Sequence, residues 1–244
     1  MLVLRSLDGE PRKIYSKRNG VIEDQFFPGE TFSLEKRLTR ETFTFESAAN
    51  LWRFAQTDNR VIARNLPKNG SSIFTLKKRT LLNDPLYFLI ADVDSSLNGL
   101  LKDDLRDCVS AFINKAGLPS DLGWVAKWSS SRFLLSGERK ASIHICFLLK
   151  EDITEDQAKH IMASIGADPR MSERGRLLAT MSPTFDEGDL FSDFARYTEI
   201  EYQDGNSLDP KPLLEKAAIN LANNPADEHI YRMIKGMETS NFFD

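Results

Sequence analysis

From residue 87 onward the spacing of apolar residues changes in a set order, and that order restricts the fold more tightly than any other feature of the chain. Short aliphatic runs at 87–94, 124–128 and 141–149 read as strands. Between and after them, 96–116 and 154–165 carry apolar residues at helical spacing, with Leu101, Leu105, Cys108, Val109 and Phe112 on one face of the first. Gly117-Leu118-Pro119 stops that helix; Thr154 opens the second and Gly166 ends it. Arg176-Leu177-Leu178-Ala179 reads as a short last strand. Strand, helix, strand, strand, helix, strand is the βαββαβ order of a ferredoxin-like sheet, an α+β class with helices on one face and the other left open for a ligand.

The flanks are less regular. Residues 1–45 read as short strands and loops, with Thr42-Phe43-Thr44-Phe45 alternating as an exposed strand. A helix is expected over 46–66, on the face of Leu51 and Phe54, then a strand over 71–80 that runs into Lys77-Lys78-Arg79. A strand over 197–202 and helices over 212–222 and 227–237 complete the chain. The expected division is a small N-terminal α/β subdomain (1–84), a core (85–204) and a helical appendage (205–244).

The 244 residues carry a net charge of −4, unevenly spread: residues 1–80 hold 15 Lys and Arg against 9 Asp and Glu, and residues 177–244 hold 5 against 13. A positive N-terminal part suits a phosphate backbone, and two solvated surfaces are the plainer reading. Cys108 and Cys146 are the two cysteines and form no C-x-x-C, which excludes a disulfide framework or a cysteine-rich zinc site. No run approaches the length of a membrane span, and the expected compartment is the cytoplasm or the nucleoid.

Chemistry concentrates at the strand ends. Asp92 and Asp94 close the run Phe88-Leu89-Ile90-Ala91, and side chains two apart on a strand share a face. Two carboxylates so placed repel each other unless a cation lies between them, and a hard ion such as Mg²⁺ suits them; a solvated turn is the alternative. In Lys140-Ala141-Ser142-Ile143-His144-Ile145-Cys146-Phe147, alternation puts Lys140, Ser142, His144 and Cys146 together, three of them phosphate-binding types. A hydrogen-bonded core histidine is the plain reading of His144 alone. Asp168 follows the second helix, with Arg170, Arg174 and Arg176 behind it.

These residues resemble the three motifs of the archaeo-eukaryotic primase superfamily, the primase-polymerases of plasmids, phages and nuclear replisomes. The motifs are hydrophobic-D-x-D/E, S-x-H and hydrophobic-D, matched in order by Ala91-Asp92-Val93-Asp94, Ser142-Ile143-His144 and Ala167-Asp168. Asp186 and Asp189 are alternatives for the third, and the arginines after Asp168 favour it. The matching region is about 85–180, where the strand-helix order fits the family's RRM-like catalytic half. These 244 residues hold neither the zinc knuckle of many relatives nor a helicase, as expected of a stand-alone enzyme or of a catalytic domain excised from a longer chain.

The resemblance implies a primase-polymerase that joins NTPs or dNTPs on a single-stranded DNA template, with a replicative helicase as partner. Asp92, Asp94 and Asp168 would hold two Mg²⁺ or Mn²⁺ ions; Ser142, His144, Lys140 and Arg176 would bind the triphosphate. Lys77, Lys78 and Arg79, with Arg60 or Arg64, would follow the template, and Trp124 and Trp128 would either stack bases or pack in the core. Three rivals stand beside it. A rolling-circle nickase needs His-hydrophobic-His where this strand has His144-Ile145-Cys146. A two-metal nuclease has no need of the Lys-x-Ser-x-His strip, and a non-catalytic nucleic-acid-binding module would keep the fold alone.

Overall fold

The elements of this computed structural model fall into two layers of sheet joined through one helix. It describes residues 1–8, 11–18, 21–27, 30–57, 59–75, 77, 81–94, 104–129, 142–178, 180, 184–185 and 198–222. Strands β1 (Leu2–Ser6), β2 (Arg12–Arg18), β3 (Val21–Phe27) and β4 (Thr31–Arg37) precede helix α1 (Phe45–Ala55). Next come β5 (Arg60–Ala63), β6 (Ile73–Thr75), β7 (Leu86–Asp94), α2 (Leu105–Ala116), β8 (Trp124–Trp128), β9 (Ser142–Ile153) and α3 (Glu155–Ser164). A 3-10 turn (Pro169–Ser172), β10 (Thr184–Phe185), β11 (Ile200–Gln203) and α4 (Lys211–Ala222) follow. The class is mixed α+β. The helix expected over 227–237 lies outside the described residues.

The central sheet has the order β11-β8-β9-β7 and the N-terminal one β5-β1-β4-β6; β2, β3 and β10 form a third, small sheet. Within the central sheet β7 and β8 flank β9, both antiparallel to it, as the first three strands of a ferredoxin-like sheet do. The fourth strand departs from expectation. Leu178 makes a single bridge to Ile62 of β5 instead of pairing with β7. The central sheet is completed on its opposite edge, where β11 pairs with β8. Apolar spacing marked 176–179 as extended but carried nothing about which edge it would join.

One face of this sheet is as expected. Leu89, Ala91, Val93, Ile143, Ile145, Phe147, Trp124, Ala126 and Trp128 pack against α2 and α3 in one apolar cluster. Trp124 and Trp128 are therefore core residues and stack no base, being 1% and 0% exposed. The other face is not open. Phe88, Val125, Cys146 and Ile200 are covered by α1 with Met1, Val3 and Phe43. The exposed strand expected over 42–45 is not formed there: Phe43 and Phe45 are buried, and Thr44 is the N-cap of α1, exchanging hydrogen bonds with Ser47. The helix also stops earlier than its expected end near 66, because Asn59 turns the backbone at φ 56° and Val61-Ile62 enter the sheet beside β1.

Candidate active site

Along β7 the residues on the face toward α1 change from apolar to acidic: Phe88 and Ile90, then Asp92. Register carries this across the sheet. Asp92 lies opposite His144, and His144 opposite Lys127, so the three form a row over adjacent strands on one face. Asp94 lies opposite Ser142. The row sits just past the edge of the patch that α1 covers, so it is largely shielded: the Asp92 and His144 side chains are 20% and 11% exposed. His144 Nε2 is 3.1 Å from Asp92 Oδ1, and its Nδ1 is buried without a hydrogen-bond partner among the described residues.

Asp168 reaches this row through a helix ending. Gly166, at φ 77°, takes the left-handed turn after α3; its amide donates to the Ala163 carbonyl and that of Ala167 to Met162. The reversed chain then runs beside β7, and the Asp168 amide donates to the Asp92 carbonyl at 3.0 Å. Asp168 next caps the 3-10 turn by accepting from the Arg170 amide at 2.9 Å. Both its oxygens also take the Arg170 guanidinium, through Nε at 3.0–3.1 Å and Nη2 at 2.9 Å. Burial alone would raise the Asp168 carboxyl; the Arg170 hydrogen bonds and charge outweigh it and hold the group below its ordinary value, while Asp92 pushes back.

Two carboxylates close enough to oppose each other's ionisation suit a hard divalent cation in their donor chemistry. Among the described residues no three His, Cys, Asp or Glu side chains form a metal-binding group. Of Asp94 the backbone is described and the side chain is not. Asp168 offers its oxygens to an ion only when the Arg170 N–H groups leave them.

The structure thus brings Asp92, His144, Asp168 and the backbone of Asp94 together, with Ser142, 1% exposed, one register step along. Arg176 is exposed and lines a cavity beside β5 and β7. Lys140, Lys78 and Arg79 lie outside the described residues, as do Asp186 and Asp189; Lys77 is exposed. Arg60 and Arg64 are drawn into ion pairs within the fold. Arg60 Nε donates to Glu35 at 2.5 Å and Arg64 Nη2 to Glu155 at 3.1 Å, with side chains 13% and 8% exposed. Lys127 escaped the sequence reading although it is wholly buried in the row; a lysine inside Trp-Val-Ala-Lys-Trp was the available signal.

No family model matches the chain, and no curated protein matches it. Among solved structures it is similar to the AEP domain (PP-N190) of the cyanophage S-2L primase-polymerase, at 12% identity and a TM-score of 0.37 over 88% of each chain.

Proposed function

We propose that the chain is a nucleotidyltransferase of the primase-polymerase kind, which joins nucleotides on a single-stranded DNA template with Mg²⁺ or Mn²⁺. One observation carries the reading. Asp168, far along the polypeptide, is hydrogen-bonded to the backbone of Asp92, whose carboxylate faces His144. Three motif residues with no local reason to meet share one spot.

Asp92 and Asp168, with Asp94 in register beside Ser142, are the groups that would hold divalent ions. When bound, such ions polarise the reacting phosphoryl group and favour ionisation of the attacking hydroxyl. The chain's own part is positioning and shielding. His144 is held nearly buried with Nε2 toward Asp92 and Nδ1 unengaged by described residues, so the imidazolium form would donate its Nδ1–H to a phosphate oxygen. Lys127 and Ser142 extend the polar strip on either side. The apolar patch under α1 excludes water from one flank, strengthening each of these contacts.

The decisive experiment is primer synthesis and extension on single-stranded DNA with each nucleotide set and either ion. The wild-type chain makes product, and Asp92→Asn lowers its rate by about three orders of magnitude or more while keeping its melting temperature and DNA binding. Full extension by the variant, or binding without any product from the wild type, sinks the reading; the second outcome leaves a binding module.

A further inference from the structure

A second polar constellation lies beside the carboxylate row, between β5, β7 and the 3-10 turn. Ile62, Phe88, Ile90, Met171 and Leu178 wall a cavity there of about 20 Å³, room for one oxygen-sized group. Two of its lining residues each carry a buried polar atom without a hydrogen-bond partner among the described residues: Arg64 its Nη1 and Ser172 its Oγ. Both side chains are well shielded, Arg64 at 8% and Ser172 at 3% exposed. Among the described lining residues only Arg176 is exposed, so it stands at the mouth.

A buried guanidinium N–H and a buried hydroxyl on two residues that line one small space leave two donors in want of an acceptor. The rest of Arg64 is already fixed: Nη2 donates to Glu155 and Nε to the side-chain oxygen of Asn65. Glu155 also accepts from the Arg174 amide and pairs with Lys159, so its charge is taken up by cations on three sides. Arg64, Lys159, Arg174 and Arg176 stand against Glu155, Glu173 and Asp156 in this group, and of its members only Arg64 and Arg176, both positive, line the cavity. An acceptor with negative charge fits best, small at its tip and continued outside by a larger body.

We propose that this cavity seats one oxygen of a phosphate group, held by Arg64 Nη1 and Ser172 Oγ, with Arg176 engaging the same phosphate at the mouth. Ile90 lines the cavity two residues before Asp92, and Ser172 lies four residues after Asp168. The phosphate therefore belongs to a nucleotide or to a DNA backbone passing the carboxylate row. That assignment of source rests on the nucleotidyl-transfer reading; oxyanion binding does not.

The test uses the full chain with no divalent ion, so the carboxylate site takes no part. Melting is followed with inorganic phosphate against chloride at equal ionic strength. Phosphate raises the wild-type midpoint, and Ser172→Ala weakens the apparent affinity about fivefold, the loss of one hydrogen bond. Arg176→Ala weakens it similarly, and Arg64→Gln removes it. Should Arg64→Gln fail to fold, the other two variants decide. Repeating the titration with a deoxynucleoside triphosphate and with a single-stranded oligonucleotide identifies the source as the ligand that Ser172→Ala weakens. Equal effects of phosphate and chloride, or unchanged affinity in both Ser172→Ala and Arg176→Ala, overturn the proposal and leave an ordered water only. Loss of the polymerase reading through active Asp92→Asn would not move these midpoints.

Discussion

Arg170 gives Asp168 the counter-charge it needs while no ion is bound. Its guanidinium covers both carboxylate oxygens, and the neighbouring Asp92 carboxylate is what makes this cover useful. The sign of the pH effect follows. Against burial, which would raise it, Arg170 holds the Asp168 carboxyl below its ordinary value. Stability from the pair is therefore present above that value and is lost as pH falls through the lower value held in the fold. Arg170→Ala should move the Asp168 titration upward, read by carboxyl NMR. An unmoved titration would mean that the pair is not formed in solution. Asp92, His144 and Asp168 were legible in the sequence because their neighbours are short, patterned motifs. Lys127 and the Arg64–Ser172 pair were not, since each acquires meaning only from what the fold buries it against.

Glu155 ties three separate elements together at the N-terminus of α3. It meets Arg64 from the N-terminal sheet, Lys159 one turn along, and Arg174 after the 3-10 turn. Burial would raise its carboxyl, but Lys159 and Arg64 outweigh that and keep it low, so this contribution too is lost on acidification. The Glu155 side chain is 11% exposed, and removing one member of a buried pair strands the other. Glu155→Ala should cost about 3 kcal/mol in urea unfolding, whereas Asp156→Ala, exposed on the same helix, should cost under about 1 kcal/mol. Similar costs for the two would remove the hub from the account. A second element-scale constraint is the seat of α1. A Cβ on Gly123 would lie 2.1 Å from the Phe45 ring, so Gly123→Ala should displace the helix start and cost about 1–3 kcal/mol by denaturant midpoint. β7, β8, β9 and the Thr154 cap were readable because period and capping are local. The partner of Leu178, the strand at Arg60–Ala63 and the cover under α1 were not, because pairing across the chain leaves no mark on the residues between.

At the scale of the whole molecule, charge distribution and fold have to be read together. Residues 1–80 carry a formal +6, yet much of it is committed within the fold. Arg5 and Arg60 pair with Glu35, Arg40 with Asp152 and Arg64 with Glu155. Lys36 and Arg60 also sit over the Phe54 ring, at 3.6 and 4.2 Å. Five of the fifteen cations in this part are thus engaged within the fold, so the sequence count overstates what a template strand meets. Each phosphate neutralised on a single strand contributes about −0.7 to the slope of log affinity against log salt. If Lys77-Lys78-Arg79 makes three contacts, replacing all three with Gln should flatten that slope by about 2 and weaken binding alike for every template sequence. Fluorescence anisotropy with labelled single-stranded DNA across a salt series measures it. A slope unchanged by the triple substitution would move the template path off Lys77-Lys78-Arg79.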